Sequence, residues 1–228
     1  DMRMHMSGEN VGTTGMAAVA GGFTTAVCLP GITPVIDDPT VVEFIARTAR
    51  KAGLVKVYPY GAITKGLAGE ELAEMGMLAR SGAVAFTDGT RSVANARTMA
   101  MALSYAATFG LMIVEHAEEP TLTVGGDMNR GETATRLGLS GIPPEAEAII
   151  IGRDLNLARM TGGRLHFAHV STAQSVELIR RAKDAGITVT CDTAPPYFAL
   201  NETAVGEYRT FAKLSHPTPS AADQIGWT

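Results

Sequence analysis

Along the chain, segments with apolar residues at helical spacing end in glycine, and a short apolar, β-branched run follows at once. This punctuation recurs six times, in GG-FTTAVCLP, AG-LVKVYPY, SG-AVAFTD, FG-LMIVEH, TGG-RLHFAHV and AG-ITVTCD. Glycine just past a helix can close the last turn in the left-handed conformation, and a brief apolar run behind it reads as a buried strand. Helix, glycine, strand is thus the repeating unit. Helices are predicted over 37–53 (DDPTVVEFIARTARKAG), with Asp38 as cap and Pro39 in the first turn, over 92–110 and over 173–186. With the opening DMRMHMSGEN read as a strand, about seven strands alternate with helices. That pattern predicts an α/β protein with a parallel sheet, either closed as a barrel or open and doubly wound.

The placement of polar residues separates the two architectures. A barrel builds its site at the C-terminal ends of several strands, and here four strands end in FTD (Asp88), VEH (His116), FAH (His169) and TCD (Asp192). An open nucleotide-binding sheet would want a glycine-rich phosphate turn after its first strand, and neither G-x-G-x-x-G nor a P-loop occurs. The expected fold is a (β/α)8 TIM-type barrel, incomplete at about seven strands. Strand alternation puts Asp88 on a face with Val84 and Phe86, His116 with Met112 and Val114, and His169 with Leu165 and Phe167. Each can therefore point inward above a packed apolar layer. Imidazole and carboxylate donors together suit a divalent ion such as zinc. On the opening strand Asp1, Arg3 and His5 alternate onto one face, so His5 is a further candidate ligand. His166 has the opposite parity and is expected to be structural, and His216, in SHPTPS, is expected in a solvated loop.

At 228 residues, with 46% hydrophobic and 18% charged, the chain can bury a sizeable core, and no composition break divides it, so 1–228 is expected to be a single domain. A net charge of -4 without any basic run speaks against nucleic acid or an anionic membrane as partner and for small-molecule chemistry. Cys28 and Cys191 lie far apart in apolar runs and are expected as reduced thiols, in keeping with a cytoplasmic location. No apolar stretch is long enough to span a bilayer and no basic-then-apolar leader is present. Because the chain opens at Asp1 already in strand pattern, it reads as an excerpt that lacks N-terminal flanking residues.

GGFTTAVCLPGITPVIDDP, GAITKGLAGEELAEMG, GAVAFTDGTRSVANA, MNRGETATRLGLSGIPPEAEAI and LHFAHVSTAQSVELIRRAKDAGITVTCD resemble the dihydroorotases of the amidohydrolase superfamily, up to about Lys213. The resemblance implies a metal-dependent barrel that interconverts dihydroorotate and carbamoyl-aspartate in pyrimidine synthesis. Its ligands fall on Asp88, His116 and His169, with His5 from the first strand, around one divalent metal, zinc in the first instance. The departures are specific. Where such proteins carry His-x-His on the first strand this chain has Arg3 and His5, the substrate arginine position is Ser7, and the substrate asparagine position is Gly31. The stretch after the seventh strand, APPYFAL, lacks histidine, and SAADQIGWT ends before an eighth strand and its acid-base aspartate. Two functions follow: a cyclic-amide hydrolase, or a non-catalytic homologue that forms a homo-oligomer or serves as scaffold to aspartate transcarbamoylase. Hydantoinase- or allantoinase-like hydrolysis is a third reading.

Overall fold

The structure is a computed structural model describing Met4, residues 11–214 and residues 216–225. It divides into two compact units, Asp1–Val114 and Glu115–Thr228.

The first unit runs α1 (Val11–Ala20), β1 (Thr25–Cys28), α2 (Pro39–Ala52), β2 (Lys56–Pro59), α3 (Met75–Arg80), α4 (Ala96–Thr108) and β3 (Met112–Glu115), the last residue of which opens the second unit. Apart from an antiparallel bridge between Thr64 and Leu72, its pairings are parallel. Met4 bridges Cys28, β1 pairs with β2 from Thr25↔Lys56 to Cys28↔Pro59, Gly61 bridges Phe86, and Phe86 bridges Ile113. Parallel neighbours require a crossover at every step, and α1, α2, α3 and α4 lie one in each connection. α2 follows its sequence signals closely: Asp38 accepts the Thr40 N–H at 2.8 Å, and Gly53 closes the helix at φ 66°. All six punctuating glycines take positive φ, as their position after a helix requires.

Two expectations are corrected. The strand foreseen at 83–88 contracts to a bridge at Phe86, whose ring lies against Gly61; a Cβ there would stand 2.7 Å from it, so the approach needs glycine. The helix foreseen from residue 92 begins at Ala96, because Asn95 Oδ1 accepts the Arg97 and Thr98 N–H groups and fixes the start.

The second unit continues with α5 (Pro120–Thr123), β4 (Met128–Asn129), α6 (Glu132–Leu137), β5 (Gly141–Ile142), α7 (Glu145–Thr161), β6 (Arg164–Phe167), α8 (Ala173–Asp184), β7 (Val189–Cys191), α9 (Pro195–Ala199) and α10 (Ala221–Ile225). β6 and β7 are parallel from Leu165↔Val189 to Phe167↔Cys191, and the Ala168 N–H donates to the Glu115 carbonyl at 3.0 Å. β4 and β5 form a short parallel pair that the hydrophobic pattern did not predict. Each has only two residues, too few for alternation to register. Met128, Ala134, Val205 and Ala212 make a small apolar cluster beside it. Among the described residues no helix is long and apolar enough to cross a membrane, and Cys28 and Cys191 are not disulfide-bonded.

Candidate metal centre

The chain just past β3 and β6 brings His116 and His169 into contact. His116 Nδ1 and His169 Nε2 are 3.0 Å apart, and both residues are buried. His169 lies beyond the end of β6 at φ 45°, a backbone region that costs a non-glycine residue about 1–3 kcal/mol. The turn is held from β7: Asp192 Oδ1 accepts the His169 N–H. Asp192 Oδ2 lies 3.2 Å from His166 Nε2, and Thr190 Oγ1 lies 2.8 Å from His166 Nδ1. His166 is thus spent on holding strand ends together, the structural role its parity predicts.

His216 corrects the sequence reading. Instead of standing in solvent it is 2% exposed and completes a triangle of imidazoles, with ring centroids 4.6 Å from His116 and 4.5 Å from His169; the latter two are 4.8 Å apart. One ring nitrogen from each of the three lies within 4.8 Å of the others. The ring of Tyr197, from α9, stands 6.4 Å from both His169 and His216.

Two carboxylates set the tautomers. Glu118 Oε2 lies 2.9 Å from His116 Nε2, and an ionised carboxylate only accepts, so Nε2 carries the proton and Nδ1 presents its lone pair toward His169. Glu147 Oε2 does the same at 3.0 Å to His216 Nδ1, which leaves His216 Nε2 as the lone-pair atom. Glu147, in the first turn of α7, also accepts the N–H and hydroxyl of Ser171 and of Thr172 at 2.7–3.1 Å. Burial pushes this carboxyl upward, but the hydrogen bond and charge of His216, with Ser175 and Ser171, outweigh it and hold the pKa at about 2. A void of about 20 Å³ between Glu118, Glu147 and His216 has room for roughly one water.

Asp88 belongs to the first unit. Its Oδ1 accepts the Ile63 and Thr64 N–H groups at 3.0 and 2.9 Å, and its Oδ2 the Thr64 hydroxyl. Burial pushes its carboxyl above the usual aspartate range, with Thr64, Ile63 and Arg91 pulling the other way. It lines a cleft of about 290 Å³ that also carries Gly31 and Arg91. A larger cavity of about 1000 Å³, walled by Phe23, Leu54 and Tyr58, presents no histidine or carboxylate. His5 lies outside the described residues. Glu118 and Glu147 escaped sequence reasoning, and His216 reads there only as a loop residue; the one legible trace is Glu147 in EAEAII, an acid set among small and apolar helix residues.

The histidine triad fits a divalent ion. Imidazole–zinc bonds of about 2.0–2.1 Å place two nitrogens of one tetrahedral shell roughly 3.4 Å apart. The candidate atoms already span 3.0 Å to at most 4.8 Å. Among the described residues His216 Nε2, fully buried, meets no hydrogen-bond partner. A buried lone pair left so is costly unless something electrophilic meets it.

Parallel strands alternating with helices, with histidines just past strand ends, define the class, an α/β fold of the TIM-barrel kind. The chain aligns over 100% of its length, and 53% of the other's, with an L-hydantoinase (dihydropyrimidinase) from Arthrobacter aurescens, at a TM-score of 0.80 and 24% identity. A dihydropyrimidinase from Brevibacillus agri aligns at a TM-score of 0.71 and 21% identity over 98% of this chain and 52% of that one. Those likenesses are of fold. The chain belongs to the dihydro-orotase-like family, whose model matches residues 4–175. It is 47% identical to proteins named dihydroorotase from Desulforapulum autotrophicum, over 97% of this chain, and Syntrophobacter fumaroxidans, over 98% of it. The chain spans about half the length of these relatives, 52% in each case.

Proposed function

We propose that the chain is the metal-holding part of a hydrolase that opens and closes a small cyclic amide, dihydroorotate and carbamoyl-aspartate being the pair, in cytoplasmic pyrimidine synthesis. The observation that carries this reading is the 3.0 Å convergence of His116 Nδ1 and His169 Nε2 at two strand ends, with Glu118 fixing the first tautomer. It gains weight from membership of the dihydro-orotase-like family. In this reading residues 1–228 count as one barrel domain, and His116 and His169 hold one divalent ion, zinc by the chemistry of the donors, with Asp88 and His5 as further ligands. Such an ion, when bound, would supply an acidified water and polarise the amide carbonyl. The chain's own part is to fix lone pairs in place: Glu118 keeps the proton on the far side of His116, and Asp192 holds the His169 turn by its N–H.

A second reading rests on Arg3, Ser7 and Gly31, which stand where the family resemblance expects a ligand, a substrate arginine and a substrate asparagine. A guanidinium repels a cation and cannot ligate it. In that reading the protein is a non-catalytic partner, as a homo-oligomer or bound to aspartate transcarbamoylase. The deciding experiment supplies the full-length natural protein with zinc and follows dihydroorotate by ultraviolet absorbance, with and without aspartate transcarbamoylase. Turnover that disappears in His116→Ala/His169→Ala supports the hydrolase. A zinc-loaded protein that turns over neither compound yet co-elutes with the transcarbamoylase supports the scaffold instead.

A further inference from the structure

We propose that His216 is a third imidazole ligand of the ion at His116 and His169, oriented for that task by Glu147, so that the metal shell is completed from the C-terminal side of the chain. The inference rests on the reading that His116 and His169 hold a divalent ion. It adds a ligand from a segment whose sequence, SHPTPS, reads as a solvated loop.

Three independent observations converge on it. His216 is carried into the interior and stacks edge-on against both strand-end histidines, at 4.6 and 4.5 Å between ring centroids. A polar loop residue is not drawn there by apolar burial, because a desolvated imidazole gains nothing from an apolar site unless its nitrogens are satisfied. One nitrogen is satisfied, since Nδ1 meets Glu147 Oε2 at 3.0 Å, and the other, Nε2, meets no hydrogen-bond partner among the described residues. That pairing, carboxylate behind one nitrogen and bare lone pair on the other, is how metal-ligating histidines are held.

Glu147 is itself built for the role. Ser171 and Thr172, just beyond β6, each give it an N–H and a hydroxyl, so the carboxylate is pinned before His216 arrives and can only accept from Nδ1. His216 Nε2 is thereby fixed as the donor atom whatever the loop around it does. The same turn after β6 carries His169, so one short stretch of chain positions two of the three imidazoles.

The arrangement also answers the first-strand departure. Arg3 stands where a histidine is expected and cannot ligate, so one imidazole is missing from the set the resemblance implies. His216 supplies an imidazole beside His116 and His169 in its stead.

The test titrates the metal-stripped full-length protein with zinc against a competing chelator, and with cobalt(II) followed by visible absorption, for wild type, His216→Ala, His216→Phe, Glu147→Gln and His116→Ala/His169→Ala. His216→Phe keeps the ring volume without a nitrogen and so separates loss of a ligand from loss of packing. Removing a residue that merely orients a ligand costs roughly 10–100-fold in affinity. Glu147→Gln should fall in that range, and both His216 variants should lose about a hundredfold or more. Their cobalt band should also weaken, as water replaces nitrogen. Wild-type zinc affinity and an unchanged cobalt spectrum in His216→Phe would overturn the inference while leaving the metal at His116 and His169 in place. Wild-type affinity in His116→Ala/His169→Ala would instead remove the reading on which the inference rests, and the inference with it.

Discussion

Asp88 in the first unit and Glu147 in the second are both buried carboxylates cradled by two successive residues, yet their surroundings drive them in opposite directions. Asp88 takes the N–H groups of Ile63 and Thr64 and one hydroxyl; Glu147 takes the N–H groups and both hydroxyls of Ser171 and Thr172, and an imidazole besides. Desolvation wins at Asp88 and raises it, whereas at Glu147 the extra hydroxyl and His216 overcome the same desolvation. Two N–H groups and one hydroxyl leave desolvation the larger effect at Asp88, whereas a second hydroxyl and the imidazole hydrogen bond reverse the balance at Glu147. The difference marks Glu147 as the carboxylate held ionised beside the histidines, and Asp88 as the one whose carboxyl burial pushes above the usual aspartate range.

The largest consequence is for stability. Glu147→Ala strands five buried donors, and breaking a buried pair by removing one partner costs roughly 3–5 kcal/mol. Urea unfolding of the metal-stripped protein should show a loss of that size, and a loss below about 1 kcal/mol, the net worth of one ordinary hydrogen bond, would mean the cradle is not the anchor described here.

The pH dependence sharpens the contrast because the two signs differ. Glu147 falls from an ordinary 4.5 to about 2 on folding, so its contribution is present above pH 4.5 and is lost as pH drops toward 2, a change worth roughly 3 kcal/mol. Asp88 is raised above 3.8, so whatever it contributes is present below that value and is lost as pH rises through its folded pKa. In metal-stripped protein Glu147→Gln should flatten the acid side of the stability curve, and Asp88→Asn should remove a smaller slope of the opposite sign. An unaltered acid limb in Glu147→Gln would contradict the assignment.

The same pair of sites shows what the sequence discloses. Strand ends and period-two alternation are local facts, which is why the sequence singles out Asp88, His116 and His169, and of these His116 and His169 are in contact. The partners of Asp88 are not legible there, since Ile63 and Thr64 lie 25 and 24 residues away and donate mostly through backbone, which carries no residue signature. His216 was misread for a related reason: its neighbours are polar and proline-rich, and the group that draws it inward, Glu147, is 69 residues distant. The αβ repeat itself was plain, down to the cap at Asp38, whereas the strand around Phe86 is reduced to a bridge, with the Phe86 ring against Gly61. Local periodicity thus finds the frame and its strand ends, and long-range hydrogen bonding decides which polar residues join them.

Metal content of the purified full-length protein, measured by elemental analysis beside His116→Ala/His169→Ala, bears most directly on the account. Wild type is expected to carry about one divalent ion per chain, as a single tetrahedral imidazole site holds, and the double variant none. Equal metal in both proteins would place the ion elsewhere and contradict the centre described at the ends of β3 and β6.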